Sequence, residues 1–247
     1  MTDTKHPVRI AAVADLHITA ADKGQWTECF KEVATQADIL LLCGDLTDTG
    51  DESEAAVLYD ELKVCNIPVI GVMGNHDCEK GRQKIICNMI QGITNVHILD
   101  GEAIVVHDIG FAGVKGFGGG FDGHMLSMFG ENAMKAFVQE AVDEALHLDR
   151  ALAKIEKEHP GMKKLALLHY SPVSETIAGE PEQIYPFLGS SRLAEPLARH
   201  KVVAAFHGHA HHGRLEGHLG DVKVFNVAKP ILLGAGYKHP FFMFEVS

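Results

Sequence analysis

Acidic, amide and imidazole side chains recur in this chain at one kind of place, just behind short apolar runs. Asp15 and His17 follow RIAAVA, and Asp45 follows ILLLC-Gly. Asn75, His76 and Asp77 follow PVIGVM-Gly, His169 follows KLALL, and His207, His209 and His211 follow VVAAF. Two carboxylates, an amide oxygen and several imidazoles form a donor set suited to borderline or hard divalent cations. In D-x-H and H-x-H, extended backbone turns both side chains to one side, so a pair can reach one ion. Such groups crowded together without a cation would repel one another or stay poorly solvated, and bound cations resolve that conflict.

Bringing these residues together requires a particular set of elements. Arg9–Ala14, Ile39–Cys43, Pro68–Met73, Lys164–Leu168 and Val202–Phe206 read as strands. Stretches 24–36, 53–64 (with Ser53 as N-cap) and 79–90 read as helices between them. Continuous apolar strands alternating with helices indicate a sheet covered on both faces. In a mostly parallel sheet the strand ends of one polarity share an edge, the edge where open α/β sheets bind ligands. The motif residues, spread from 15 to 211, are therefore expected to converge at the carboxyl ends of the strands. Residues 102–106 and 109–115 read as a hairpin, followed by a glycine-rich loop at 116–123. A long helix is expected over 131–158, with an apolar stripe running from Met134 through Phe137, Val138 and Ala141 to Leu152 and Ile155. Residues 170–190 read as a functional loop, and 213–246 as several further strands.

The 247 residues are 46% hydrophobic, enough for one large core, and we read positions 1–247 as a single α/β domain. The formal charge of −11 opposes non-specific binding to nucleic acid or anionic membrane, although bound cations would reverse the sign within one cleft. Five cysteines without C-x-x-C spacing suggest neither a disulfide framework nor a thiolate zinc site. The N-terminus has no apolar signal region and no run is long enough to span a bilayer, so a cytoplasmic location is expected.

The motifs resemble those of the calcineurin-like metallophosphoesterase superfamily, whose pattern is D-x-H, G-D-x-x-D, G-N-H-D/E, a lone H and G-H-x-H. Here it reads Asp15-Leu16-His17, Gly44-Asp45-Leu46-Thr47-Asp48, Gly74-Asn75-His76-Asp77, His169 and Gly208-His209-Ala210-His211, all in order. The resemblance implies a four-layer α/β/β/α sandwich with two packed mixed β-sheets. It implies two transition-metal ions, Mn, Fe or Zn: Asp15, His17 and His211 on one, Asn75, His169 and His209 on the other, and Asp45 as the bridge. It further implies that a hydroxide shared by the metals attacks phosphorus, with His76 as general acid and Asp48 orienting it. The substrate class is a small phosphorylated compound, with nucleotides and cyclic nucleotides among the candidates. The stretch Gly44–Gly50, Tyr59 and the G-N-H-D motif are similar to the class III cyclic-nucleotide phosphodiesterase branch, whereas 111–120 carries no motif of that branch. His76 argues against the lipid-A-pathway pyrophosphatases, which usually carry Arg at that place.

Two other functions stay open on the sequence. One is a DNA or RNA nuclease of the same superfamily, which the acidic charge and the 7% aromatic content disfavour. The other is a non-catalytic scaffold on the same fold, which the intact set of motif positions disfavours. His207 reads as a supporting residue, and His124 and Lys115 as candidate substrate contacts. His97, His107, His147, His159, His200 and His239 have no motif context. The glycine-rich loop lacks the Gly-Lys-Ser/Thr of a P-loop.

Overall fold

The structure, a computed structural model, describes residues 6–247, so the first five residues of the N-terminal reading lie outside it. In chain order the elements are β1 (Val8–Val13), α1 (Thr27–Gln36), β2 (Ile39–Cys43), α2 (Glu52–Leu62), β3 (Val69–Val72), α3 (Gln83–Ile90), β4 (Val96–Ile98), β5 (Glu102–Val106) and β6 (Ile109–Gly113). They continue with α4 (Asn132–Glu158), β7 (Lys163–Leu167), α5 (Tyr185–Leu188), α6 (Ala194–Arg199), β8 (Ala204–His207), β9 (Glu216–Leu219), β10 (Val222–Asn226), α7 (Lys229–Gly234) and β11 (Phe242–Val246).

The strands form two mixed sheets, ordered β11-β1-β2-β3-β4 and β5-β6-β7-β8-β10-β9. Within the first, β1 to β4 are parallel and β11 runs antiparallel to β1. Within the second, β6, β7, β8 and β10 are parallel, while β5 and β9 are antiparallel edges.

Side-chain alternation explains the layering. In β7, Leu165 and Leu167 point into the core shared with the first sheet, and Ala166, with Leu168 just past the strand, points into a second core beneath α4. Phe206 of β8 and Ala205 beside it divide in the same way. β2 is buried at all five positions, as its unbroken apolar run requires. Helices α1 to α3 cover the outer face of the first sheet, and α4 and α6 cover that of the second. The result is the expected four-layer α/β/β/α sandwich.

Local differences from the sequence reading have physical causes. The N-cap of α2 is Asp51, not Ser53. Asp51 has an extended backbone, its carboxylate accepts from Ser53 N at 2.9 Å, and Glu54 reaches back to the Asp51 amide, completing a capping box. The stripe of α4 is buried from Val138 through Ile155, but Met134 at its start stays 40% exposed. Residues 170–190 are irregular, pinned by short 3₁₀ turns at Glu175–Ile177 and Glu182–Ile184 and by α5. The segment 213–246 contains three strands, and also α7, whose Pro230 occupies the first turn where no amide donor is needed. Among the described residues no helix is long and apolar enough to cross a membrane.

Candidate metal centre

The motif residues meet where β1, β2, β3, β7 and β8 end. His17 ring atoms lie 3.9 Å from an Asp15 oxygen and 3.7 Å from Asp45 Oδ2. His211 Nε2 is 2.9 Å from Asp15 Oδ1. On the other side, His169 Nε2 lies 3.3 Å from Asp45 Oδ2 and 2.9 Å from Asn75 Oδ1. The donor atoms fall into three overlapping groups: Asp15, His17 and His211; His17, Asp45 and His76; and Asp45, His169 and His209. Asp45 belongs to two of these groups, so its carboxylate stands between the two ends of the site. All seven residues expected as ligands are brought together: Asp15, His17, Asp45, Asn75, His169, His209 and His211.

His211 and His169 each meet a neighbouring oxygen at hydrogen-bond distance, but His17 does not. Both ring nitrogens of His17 are buried without a hydrogen-bond partner. Two ligand atoms each about 2.1 Å from one ion lie about 3.0–3.4 Å apart in octahedral or tetrahedral geometry. The separations here, from 2.9 to 3.9 Å, bracket that range. The residues therefore fit cations of the class named by their donor types.

Backbone geometry is specialised to hold them. Four of the candidate ligands adopt left-handed backbone that non-glycine residues seldom occupy: Asp15 (φ 58°), His17 (φ 47°), Asp45 (φ 49°) and His209 (φ 70°). Such conformations persist only where the surroundings enforce them, and they concentrate at functional sites. Two motif glycines allow the loops to approach. A Cβ on Gly74 would fall 2.1 Å from Asp45 Oδ1, and one on Gly208 would fall 2.2 Å from Asp15 Oδ2.

Main-chain carbonyls set the imidazole tautomers. His169 Nδ1 donates to Cys43 O at 3.1 Å, which leaves Nε2 facing Asp45 and Asn75. His209 Nε2 donates to Phe187 O at 3.1 Å, which leaves Nδ1 for the centre. His76 Nδ1 donates to Asp48 O at 2.6 Å. Asp48 thus meets His76 through its backbone, while its carboxylate lies 3.3 Å from His17 Nδ1. A carbonyl or carboxylate behind an imidazole is the usual way its orientation is fixed at a metal.

Charge is distributed unevenly across the cluster. Burial opposes ionisation of Asp45, but the His169 charge, its hydrogen bond and the His76 amide outweigh it and hold the carboxyl well below the usual range. Burial likewise opposes charge on His169, yet the Asp45 carboxylate lifts that imidazole to about 9. Burial beside His169 drives His209 the other way, to about 4.

Asp77, Tyr170 and Asn226 had no role in the sequence reading, whereas His207 was read there as a supporting residue and Lys115 and His124 as candidate substrate contacts. Asp77 is fully buried and accepts from Leu46 N, Thr47 N, Thr47 Oγ1 and Gly74 N at 3.1, 2.8, 2.6 and 2.8 Å, tying the Asp45 loop to the Asn75–His76 loop. Burial, with the nearby Asp45 charge, pushes its carboxyl up. Its position directly after Gly-Asn-His was the available signal. Tyr170 packs against His209 with ring centres 4.5 Å apart. His207 is buried, with Nε2 2.7 Å from Thr176 Oγ1, and Asn226 Nδ2 donates to Ala210 O at 2.8 Å; both steady the G-H-x-H loop from behind. Lys115 lies over the Phe117 and Tyr170 rings and lines a cavity of about 370 Å³ together with Cys78, in the turn that begins at His76. His124 is exposed, outside the donor groups, and lines a separate cavity of about 450 Å³.

Comparison with known proteins identifies the family and the fold. The sequence model of the calcineurin-like phosphoesterases matches residues 8–213. The chain belongs to that family. A 3′,5′-cyclic-nucleotide phosphodiesterase from Nostoc sp. is 31% identical over 94 residues, 33% of this chain and 35% of the relative, so the match spans about a third of that protein. The fold is similar to that of phosphopantetheinyl hydrolase from Mycobacterium tuberculosis (TM-score 0.67, 15% identity, 95% of each chain). It is also similar to TT1561 of Thermus thermophilus (TM-score 0.59, 17% identity, 98% of this chain and all of that one).

Proposed function

We propose that the chain hydrolyses a phosphodiester in a small phosphorylated compound, with a cyclic nucleotide as the leading candidate, using two transition-metal ions. The observation that carries this reading is His17, whose two ring nitrogens are buried among carboxylates without a hydrogen-bond partner. The family membership and the name of the Nostoc relative support the substrate class.

Asp15, His17 and His211 would hold one ion, Asn75, His169 and His209 the other, and Asp45 both. When bound, such ions supply positive charge opposite phosphoryl oxygens and bring the pKa of a water to about 7. The chain's own residues do the rest. The Asp45 carboxylate is fixed by the His76 amide at 2.8 Å, so the ligand at the centre of the site cannot swing away. His76 has Nδ1 committed to Asp48 O, so Nε2 is the atom free to carry a proton to the departing oxygen. His17 packs edge-on to His76 with ring centres 4.5 Å apart and keeps that ring upright over the site. The Lys115 cavity next to this turn would take the part of the substrate that does not react.

A hydrolysis panel with Mn²⁺ tests the proposal. It comprises nitrophenyl mono- and diesters, 2′,3′- and 3′,5′-cyclic nucleotides, a nucleotide pyrophosphate and single-stranded DNA. Turnover of diesters and a cyclic nucleotide above the monoester is expected. Turnover confined to DNA would favour a nuclease, and no turnover by metal-loaded protein would favour a scaffold.

A further inference from the structure

Away from the metal centre, three chemically active side chains line up in a third cavity. Cys29 and Glu32 are three residues apart on α1 and share one face of that helix. His239, just before β11, reaches over both. Its Nδ1 is 3.6 Å from Cys29 Sγ and its Nε2 is 2.9 Å from Glu32. The cavity beside them is about 290 Å³ and is also lined by Val33, Tyr237 and Lys238. Glu32 holds the Nε2 proton, so Nδ1 presents a lone pair to the sulfur. A nucleophile, a base and a carboxylate that orients the base stand in hydrogen-bond sequence. Among the described residues none of the other four cysteines, Cys43, Cys65, Cys78 and Cys87, hydrogen-bonds an imidazole: Cys43 and Cys65 are buried, Cys78 is partly buried, and Cys87 Sγ accepts from Gln91.

We propose that Cys29 is a covalent modification site for small, anionic disulfides, with His239 as its proton acceptor and Glu32 as the residue that positions His239. Burial and the Glu32 charge push the Cys29 thiol up, so it rests protonated and depends on an acceptor in contact. As Sγ attacks one sulfur of the disulfide, its proton passes to His239 Nδ1. The S–S bond of the reagent breaks, a mixed disulfide forms on Cys29, and the departing thiolate takes the proton back from Nδ1. Cys29 is oxidised, the departing half is reduced, and no further oxidant is needed. Lys238 at the rim offers a cation to a carboxylate on the reagent.

The test treats the full-length protein with oxidised glutathione and follows each cysteine by peptide mass mapping. Cys29 is expected to acquire the first adduct. His239→Ala should slow its formation by about tenfold or more, as loss of a general base does. Glu32→Gln, on an exposed helix face, should slow it less while leaving metal-dependent phosphoester hydrolysis intact, which gives a second variant if His239→Ala folds poorly. Equal labelling of Cys29, Cys78 and Cys87, or an unchanged Cys29 rate in both variants, would overturn the proposal.

Discussion

At the scale of single residues, the site depends on which atom of each imidazole is left free. His76 Nδ1 is taken by Asp48 O, so removal of the ring deletes a proton donor without deleting one of the seven proposed ligands. His76→Ala is expected to lower kcat by roughly 10²–10⁴-fold on alkyl diesters, and much less on nitrophenyl esters, whose leaving oxygen needs no proton. Metal content should be retained. Steady-state kinetics on both substrates with metal analysis checks this, and equal losses on the two substrates would remove the proton-donor role. All the candidate ligands were legible in the sequence because each follows an apolar run at fixed spacing. The position of Asp77 was legible in the G-N-H-D motif, but its part in tying two loops together through amide and hydroxyl donors was not, because those donors come from residues 46, 47 and 74. The carbonyls of Cys43, Asp48 and Phe187 were not legible either, since a backbone acceptor has no residue signature.

At the scale of elements, the loop before α1 is held by Glu61 of α2. Glu61 is 3% exposed and accepts from Gly24 N, from Trp26 N at 3.0 Å and from Thr27 Oγ1 at 2.6 Å. Burial opposes its ionisation, but these donors outweigh burial and lower the carboxyl from its ordinary value. A carboxyl lowered in the folded state stabilises above its unfolded pKa, about 4.3, and loses that contribution as pH falls through the folded value. Glu61→Ala is therefore expected to cost about 1.5–3 kcal/mol near neutral pH, and less once acid has protonated the wild-type carboxyl. Urea unfolding of both proteins at about pH 7 and about pH 3 measures this, and an equal cost at both would contradict it. The strands that end at the site were readable because burial on both faces leaves unbroken apolar runs. β4, three residues long, and α6, six residues long with Pro196 in its first turn, are set by packing against neighbouring elements and are too short to leave a periodic pattern. The start of α2 is ambiguous in sequence because Asp51 and Ser53 are both good caps, and the extended backbone and capping box at Asp51 distinguish them.

At the scale of the whole molecule, the two sheets bring strand ends from positions 15 to 211 to one edge, and an acidic chain concentrates buried carboxylates there. The fold class followed from the alternation of apolar runs and helices, and the closure into four layers from the family resemblance. Substrate identity was not legible: the Lys115 cavity proposed for it is assembled from residues scattered between Met73 and Glu144, which share no motif. The most direct test is the anomalous-difference map of a crystal prepared with Mn²⁺. Two peaks about 3.5–4 Å apart on either side of the Asp45 carboxylate are expected, with both lost in Asp45→Asn. A map with no peak among Asp15, His17, Asn75, His169, His209 and His211, or with peaks at another group of residues, would contradict the account.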